Sequence, residues 1–181
     1  MKFKKFKFKK VRSTNNTAIR IIKKSNCKYG MVISEIQTNG KGQYGRKWIS
    51  YKGNLFVTFF HELNKIKLSI ATITKLNCLL VKKLISKYTN KNIFYKKPND
   101  LLIEKKKICG ILQEIIFMQN KKYLITGIGI NINKSPYIKN CPTTNLNELT
   151  NKYVKINEIE KSLKQIFENN FLKMYNFKVN N

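Results

Sequence analysis

Three glycines, interleaved with cations, fall within six residues of the stretch Gly40-Lys41-Gly42-Gln43-Tyr44-Gly45-Arg46-Lys47-Trp48. Glycine permits positive φ and carries no Cβ, so backbone N–H groups in such a stretch can turn toward one small anion. Lys41 and Arg46 add charge to a site already rich in donors. The chemistry this suits is the binding of a phosphate or a carboxylate. The same spacing also suits an ordinary basic surface turn. It is neither a P-loop nor a dinucleotide fingerprint, because it has no Gly-Lys-Ser/Thr ending and its Gly-x-Gly-x-x-Gly spacing does not open into a helix.

Other residues that could do chemistry are spread along the chain. Ser13-Thr14-Asn15 offers hydroxyls and amides at the start of a helical pattern, where N-capping alone would account for them. Lys97-Pro98-Asn99-Asp100 places an amide beside a carboxylate in a turn. In Lys107-Ile108-Cys109-Gly110-Ile111-Leu112 the absent side chain of Gly110 lets a ligand or backbone come close. Gly127-Ile128-Gly129-Ile130-Asn131 repeats that argument in an apolar strand. His61 is the sole histidine, so neither a metal site nor a histidine-based triad is expected. The four cysteines are too far apart for a Cys-x-x-Cys site, and Cys78 and Cys109 read as small core residues.

These residues need elements to hold them. Lys2 to Arg12 alternates apolar and basic residues as a strand with one solvated face would. A helix carrying Ala18, Ile19 and Ile22 follows, then a strand over Gly30 to Ile36 with Gln37 at its end. Asn54 to Leu63 is the next strand. Leu68 to Tyr88 has the apolar spacing of a helix laid on a core. Asn92 to Lys96 is a short strand. Leu101 to Glu104, Lys107 to Met118 and Tyr123 to Asn133 read as successive antiparallel strands, turning at Lys105-Lys106 and Gln119-Asn120-Lys121. Asn157 with Glu160 suggests a cap for a last helix bearing Ile159, Leu163, Ile166, Phe167 and Phe171. The lone tryptophan, Trp48, should pack the exit of the glycine stretch against the body of the domain.

At 181 residues and 42% hydrophobic content, the chain is expected to form one domain with a real core. Its formal charge is +28, from 37 Lys and Arg against 9 Asp and Glu. Such an excess can mark a polyanion partner. The lysines are dispersed among asparagine and isoleucine, however, as codon composition alone would place them. No apolar run reaches the length of a membrane-spanning helix, and the cysteine usage favours a reduced compartment.

Taken in order, these motifs resemble those of the catalytic domain of biotin–protein ligases. That family reads Gly-Arg-Gly-Arg-x-Gly-Arg-x-Trp, then Lys-Trp-Pro-Asn-Asp, Lys-x-x-Gly-Ile-Leu and Gly-Ile-Gly-Ile-Asn. The resemblance runs from Ser13 to Asn133, with weaker echoes to Tyr175. It implies an α+β fold, a mixed β-sheet with helices packed on it, like class II aminoacyl-tRNA synthetases and biotin–lipoate ligases. It implies one catalytic domain over 1–181, without a DNA-binding domain before it or an SH3-like domain after it. The implied activity uses ATP and Mg²⁺ to activate biotin as biotinyl-5′-AMP, then transfers it to a lysine of the biotin carboxyl carrier protein of acetyl-CoA carboxylase. A cytoplasmic location, no specific nucleic acid, no membrane and room for a homodimer go with it.

The resemblance also implies roles. Ser13, Thr14, Asn15, Gln37, Gly40, Lys41, Lys107 and Gly110 would hold biotin. Lys41, Gln43, Arg46, Trp48, Asn99 and Asn131 would hold ATP or the adenylate. Lys107 and Arg46 would stabilise charge at the α-phosphate, and Asp100 would meet the carrier lysine. No protein metal ligand is assigned, Mg²⁺ being held through substrate phosphates. Two loop arginines are replaced, by Lys41 and Gln43, which points to weaker retention of the adenylate. Lys97 stands where the family has tryptophan, removing an expected packing anchor. A lipoate–protein ligase of the same fold is the nearest alternative, and the basic loop ending in Trp48 argues against it. A degenerate relative that binds ligand or RNA without turnover is the other.

Overall fold

The computed structural model describes residues 2–25, 27–63, 68–118 and 120–175, with side chains to 170. Nine strands and four α-helices follow one another. They are β1 (Lys4–Val11), α1 (Thr14–Lys24), β2 (Tyr29–Gln37), β3 (Gly40–Lys41), β4 (Lys47–Trp48), β5 (Leu55–Glu62), α2 (Ile70–Ile85), β6 (Ile93–Lys96), β7 (Asp100–Ile103), β8 (Lys106–Met118), β9 (Lys121–Ile130), α3 (Leu146–Thr150) and α4 (Ile156–Tyr175).

Seven strands form one sheet in the order β1-β2-β5-β9-β8-β7-β6. β1 and β2 pair in parallel, and the helix α1 supplies the crossover that parallel neighbours require. All other neighbours are antiparallel. The sheet is therefore mixed and the fold α+β, as expected.

Both faces of the sheet are covered, and side-chain alternation divides the core between them. Met31, Ile33, Leu55, Val57 and Phe59 join Ile128, Ile130 and the apolar sides of α2 and α4 in the larger cluster. There Phe59 stacks on Phe167 of α4 with ring centroids 4.3 Å apart. Val32, Phe60, Tyr123 and Ile125 point the other way and pack with Ala18 and Ile22 of α1. β5 lies in the middle and is buried on both faces, which explains its near-continuous apolar run. β1 is an edge strand with an alternating, half-exposed pattern.

Several expectations shift. The helix expected over residues 68–88 spans Ile70–Ile85, with Ser69 accepting a hydrogen bond from the Thr72 N–H. The turn before β8 is Glu104-Lys105, both residues left-handed (φ 50° and 63°), and Lys106 is already strand. β9 ends at Ile130, three residues early: the Asn131 N–H still donates in register to the Ile108 carbonyl of β8 at 2.9 Å, but its own carbonyl accepts from the Leu146 N–H at 3.2 Å. Asn157 does not cap the last helix, which begins at Ile156. Glu160 is buried and forms an ion pair with Lys5 of β1 instead of reaching back to a helix N-terminus. Phe171 and Gln119 lie outside the described side chains. No described helix is long and apolar enough to cross a membrane.

Candidate active site

The side of the sheet that carries α1 also carries a cleft of about 710 Å³, over the central strands next to that helix. Its floor is nearly free of side chains. Gly110 of β8 pairs with Gly129 of β9, and Gly127 lies two residues back on the same face. Each is glycine for want of room. A Cβ on Gly129 would lie 2.5 Å from Trp48 Cε2, and one on Gly110 would lie 2.7 Å from Trp48 Cζ3. A Cβ on Gly127 would lie 2.3 Å from the Asn15 amide oxygen. The indole of Trp48 thus lies flat over the glycine pair, as packing of the loop's exit against the domain requires. Its Nε1–H is buried and meets no acceptor among the described residues.

The glycine-rich stretch is a small hairpin. β3 pairs with β4, Gly40 opposite Trp48, and the Gly42 N–H donates to the Arg46 carbonyl at 2.7 Å. Of its three glycines only Gly45 has positive φ, at 74°. The neighbouring left-handed position is taken by Tyr44 (φ 55°), exposed at the tip. Gly40 is small because a Cβ there would lie 2.6 Å from the Trp48 carbonyl oxygen.

Lys41, Gln43 and Arg46 line one side of the cleft from this hairpin. Ser13, Thr14 and Asn15 enter from the start of α1, where Ser13 is the N-cap. Gln37 knits these parts together. Its side-chain oxygen accepts from the N–H (2.8 Å) and hydroxyl (3.0 Å) of Thr14, and its Nε2 donates to Ser50 Oγ at 3.3 Å. Asn15 is also fully engaged, accepting from Thr58 Oγ1 at 2.6 Å and donating to Glu114 Oε2 at 2.6 Å.

The opposite wall is charged. Lys107 Nζ lies 2.7 Å from Asp100 Oδ1, and the same ammonium stands 5.3 Å from the centre of the Trp48 ring. Among the described residues Asp100 is the one carboxylate lining the cleft, against Lys41, Arg46, Lys47, Lys96, Lys97, Lys107 and Lys139. Asn99 fixes the preceding turn to β8, donating from Nδ2 to the Ile111 carbonyl at 2.6 Å. Lys97 is solvent-exposed at the cleft mouth. The turn beside it is held by the Tyr95 hydroxyl, which donates to the Pro98 carbonyl at 2.5 Å. Asn131 closes the far end and donates to the Thr144 carbonyl at 3.2 Å.

Every residue to which the resemblance gives a binding or catalytic role lines this cleft except Gly40, which with Gly45 faces a second hollow of about 750 Å³ behind the hairpin, beside Leu112 and Glu114. Asn54 gave no sequence signal. Its side-chain oxygen accepts from the N–H groups of Ile132, Asn133 and Lys134, and so fixes the chain that follows Asn131. Glu114 could have been found, since it shares strand parity with Gly110 and Leu112.

His61 has no place in the cleft. It is buried on β5, and desolvation lowers its pKa to about 4. Burial, with Asp100 nearby, pushes the Cys78 thiol up to about 12, and burial likewise holds Cys109 well above the ordinary thiol range. Both are inert core residues. Among the described residues, no group of three His, Cys, Asp or Glu side chains could hold a metal ion.

Comparison with known proteins agrees with this arrangement. Residues 7–131 match the model of the biotin/lipoate A/B protein ligase family. The chain is 30% identical over 126 residues to the bifunctional ligase/repressor BirA of Bacillus subtilis, covering 68% of this chain and 39% of that protein. It therefore spans about two-fifths of that relative's length. Among solved structures, the biotin protein ligase of Aquifex aeolicus in complex with biotin and ATP superposes with a TM-score of 0.79 at 30% identity, over 96% of this chain and 72% of that one. The Leishmania major biotin protein ligase with biotinyl-5-AMP gives 0.75 at 25% identity, over 90% and 72%. A P. falciparum structure with lipoate shares the fold alone, at 14% identity and a TM-score of 0.60. Its fold, cleft and sequence place this chain in the biotin/lipoate A/B protein ligase family.

Proposed function

We propose that the chain activates biotin with ATP and transfers it to a lysine of a biotin carrier protein. The observation that carries this reading is the convergence of five sequence-distant motifs on one glycine-floored cleft with a strong cation excess. Gly110 and Gly129 leave a flat slot under Trp48. The polar end beside Ser13, Thr14 and Gln37 suits a ureido group. The Trp48 N–H, left without an acceptor among the described residues, is free to donate to a bound ligand.

In the first step an oxygen of the biotin carboxylate attacks the α-phosphorus of ATP. The bond from that phosphorus to the bridging oxygen breaks, pyrophosphate leaves, and a mixed anhydride forms. Two anions must meet, so Lys107 and Arg46 would lower the barrier by holding carboxylate and phosphate together. In the second step a lysine amine attacks the acyl carbon, AMP leaves, and the amine loses a proton. Asp100 is the carboxylate placed to accept or orient that proton. A single cleft carboxylate fits Mg²⁺ carried mainly by phosphate oxygens, with Asp100 as its protein ligand. The ion would neutralise phosphate charge when bound.

Lys107 is paired with Asp100 at 2.7 Å. Entry of the substrate carboxylate would draw Lys107 away and leave Asp100 free for the second step.

Pyrophosphate release with MgATP tests the first step. Biotin should support it, lipoate should not, and Lys107→Ala should reduce it by about a hundredfold or more, as removal of one charge-stabilising donor does. Release that depends on lipoate and not biotin would assign the chain to the other acid. Release with neither would overturn the reading.

A further inference from the structure

Asn15 stands where three elements meet, at the start of α1, with Thr58 of β5 on one side and Glu114 of β8 on the other. Its amide lies on Gly127, with the oxygen in the space a Cβ would take, and both residues border the cleft. That oxygen accepts from Thr58 Oγ1 at 2.6 Å, and the nitrogen donates to Glu114 Oε2 at 2.6 Å. An amide oxygen has two lone pairs and an amide nitrogen two hydrogens, so each end keeps one bonding position for another group.

Only one of these two partners decides which end points where. A threonine hydroxyl donates or accepts, so it suits either end of the amide. An ionised carboxylate only accepts. Glu114 therefore holds Nδ2 toward β8, and Oδ1 is left over Gly127. The other amide oxygen at this end of the cleft is already taken, because Gln37 Oε1 receives both the N–H and the hydroxyl of Thr14. A cyclic urea brings one oxygen and two N–H groups, and the N–H groups need acceptors.

We propose that Glu114 is a positioning residue that fixes the polarity of Asn15, so that the Asn15 oxygen receives a ring N–H of the cyclic urea. The inference rests on the ligase reading and adds the reason the ring must be a urea. A ring without an N–H at that place leaves the fixed acceptor unpaired, and the dithiolane of lipoate is such a ring. Glu114 is half-buried and faces the hollow behind the hairpin, outside the cleft, so it acts through Asn15.

The test compares biotin with its two cyclic carbamate analogues, each with one ring N–H replaced by oxygen. Each acid is a substrate for pyrophosphate release by the full chain with MgATP. In the wild-type protein at least one carbamate should fall roughly a hundredfold below biotin in kcat/KM, because its ring oxygen meets the Asn15 oxygen. Glu114→Gln keeps the size and the hydrogen bond but lets the Asn15 amide turn over, since glutamine donates as well as accepts. With both orientations populated, biotin should lose about twofold in KM while the disfavoured carbamate gains, and discrimination should shrink roughly tenfold, in KM rather than kcat. Thr58→Val removes the other partner and should keep the discrimination. Discrimination that persists in Glu114→Gln, or that is lost in Thr58→Val instead, overturns the role of Glu114 alone. Equal use of all three acids by the wild-type protein overturns it without any variant. No pyrophosphate release with biotin in the wild type overturns the ligase reading, and this inference with it.

Discussion

Adding one methyl group at Gly129 would place a carbon 2.5 Å from the Trp48 ring, and the indole cannot yield without leaving the slot. Gly129→Ala is therefore expected to move Trp48 and to weaken adenylate binding by about tenfold, with little change at the biotin end. Trp48 is the sole tryptophan, so its emission reports the displacement directly. Unchanged emission and affinity would show that the slot is wider than the ligand-free geometry allows. Gln43 lies on the hairpin wall of the cleft and carries no charge. Gln43→Arg should slow release of the adenylate, measured by chase with unlabelled biotin, and an unchanged rate would remove any role for that position. At this scale the sequence was informative because chemistry-bearing residue types are rare and their spacing is specific. It was uninformative about Asn15, whose place between Thr58 and Glu114 depends on three elements meeting. Of the two properties the glycine stretch offered, Gly45 uses positive φ and Gly40 the missing Cβ, a division only the fold decides.

Elements position the site through a few polar splices. Asn54 precedes β5 and accepts three N–H groups from residues 132–134, at 3.0, 3.0 and 3.1 Å. Removing that acceptor leaves buried donors unpaired. Asn54→Ala is expected to cost about 3 kcal/mol in denaturant unfolding, and Asn54→Asp less, since it keeps the oxygen. Equal losses in the two variants would mean that the Nδ2 bond to the Lys134 carbonyl is what matters. The strands and main helices were readable: β1 from its half-exposed alternation, the doubly buried β5 from a continuous apolar run, and the helices from 3.6-residue spacing. Element ends were not. Glu160 looks like half of a capping box in the sequence and is a buried partner of Lys5 in the fold, a contact 155 residues away. Asn54 reads in the sequence only as the first residue of a strand, and nothing local announces three distant donors.

For the whole molecule, acid stability should carry the mark of His61. Its pKa is about 6.5 unfolded and about 4 in the fold, because burial disfavours the imidazolium. The unfolded chain therefore takes up this proton first as pH falls. The contribution of neutral His61 is complete above pH 6.5, is lost progressively toward pH 4, and reaches about 3 kcal/mol. His61→Leu should flatten that part of the stability profile, and an unchanged slope would mean that the ring stays hydrated. The formal charge of +28 adds self-repulsion that salt should relieve, raising Tm. Composition alone could not say where the cations act. The fold gathers seven of them around one cleft with a single carboxylate, and that concentration is what turns dispersed charge into a candidate reaction site.

The most direct test of the central claim is the intact mass of a biotin carrier domain after incubation with the purified chain, MgATP and biotin. The account predicts one added biotinyl group, on one lysine, and none with Lys107→Ala. An unmodified carrier together with no detectable biotinyl-5′-AMP would contradict it.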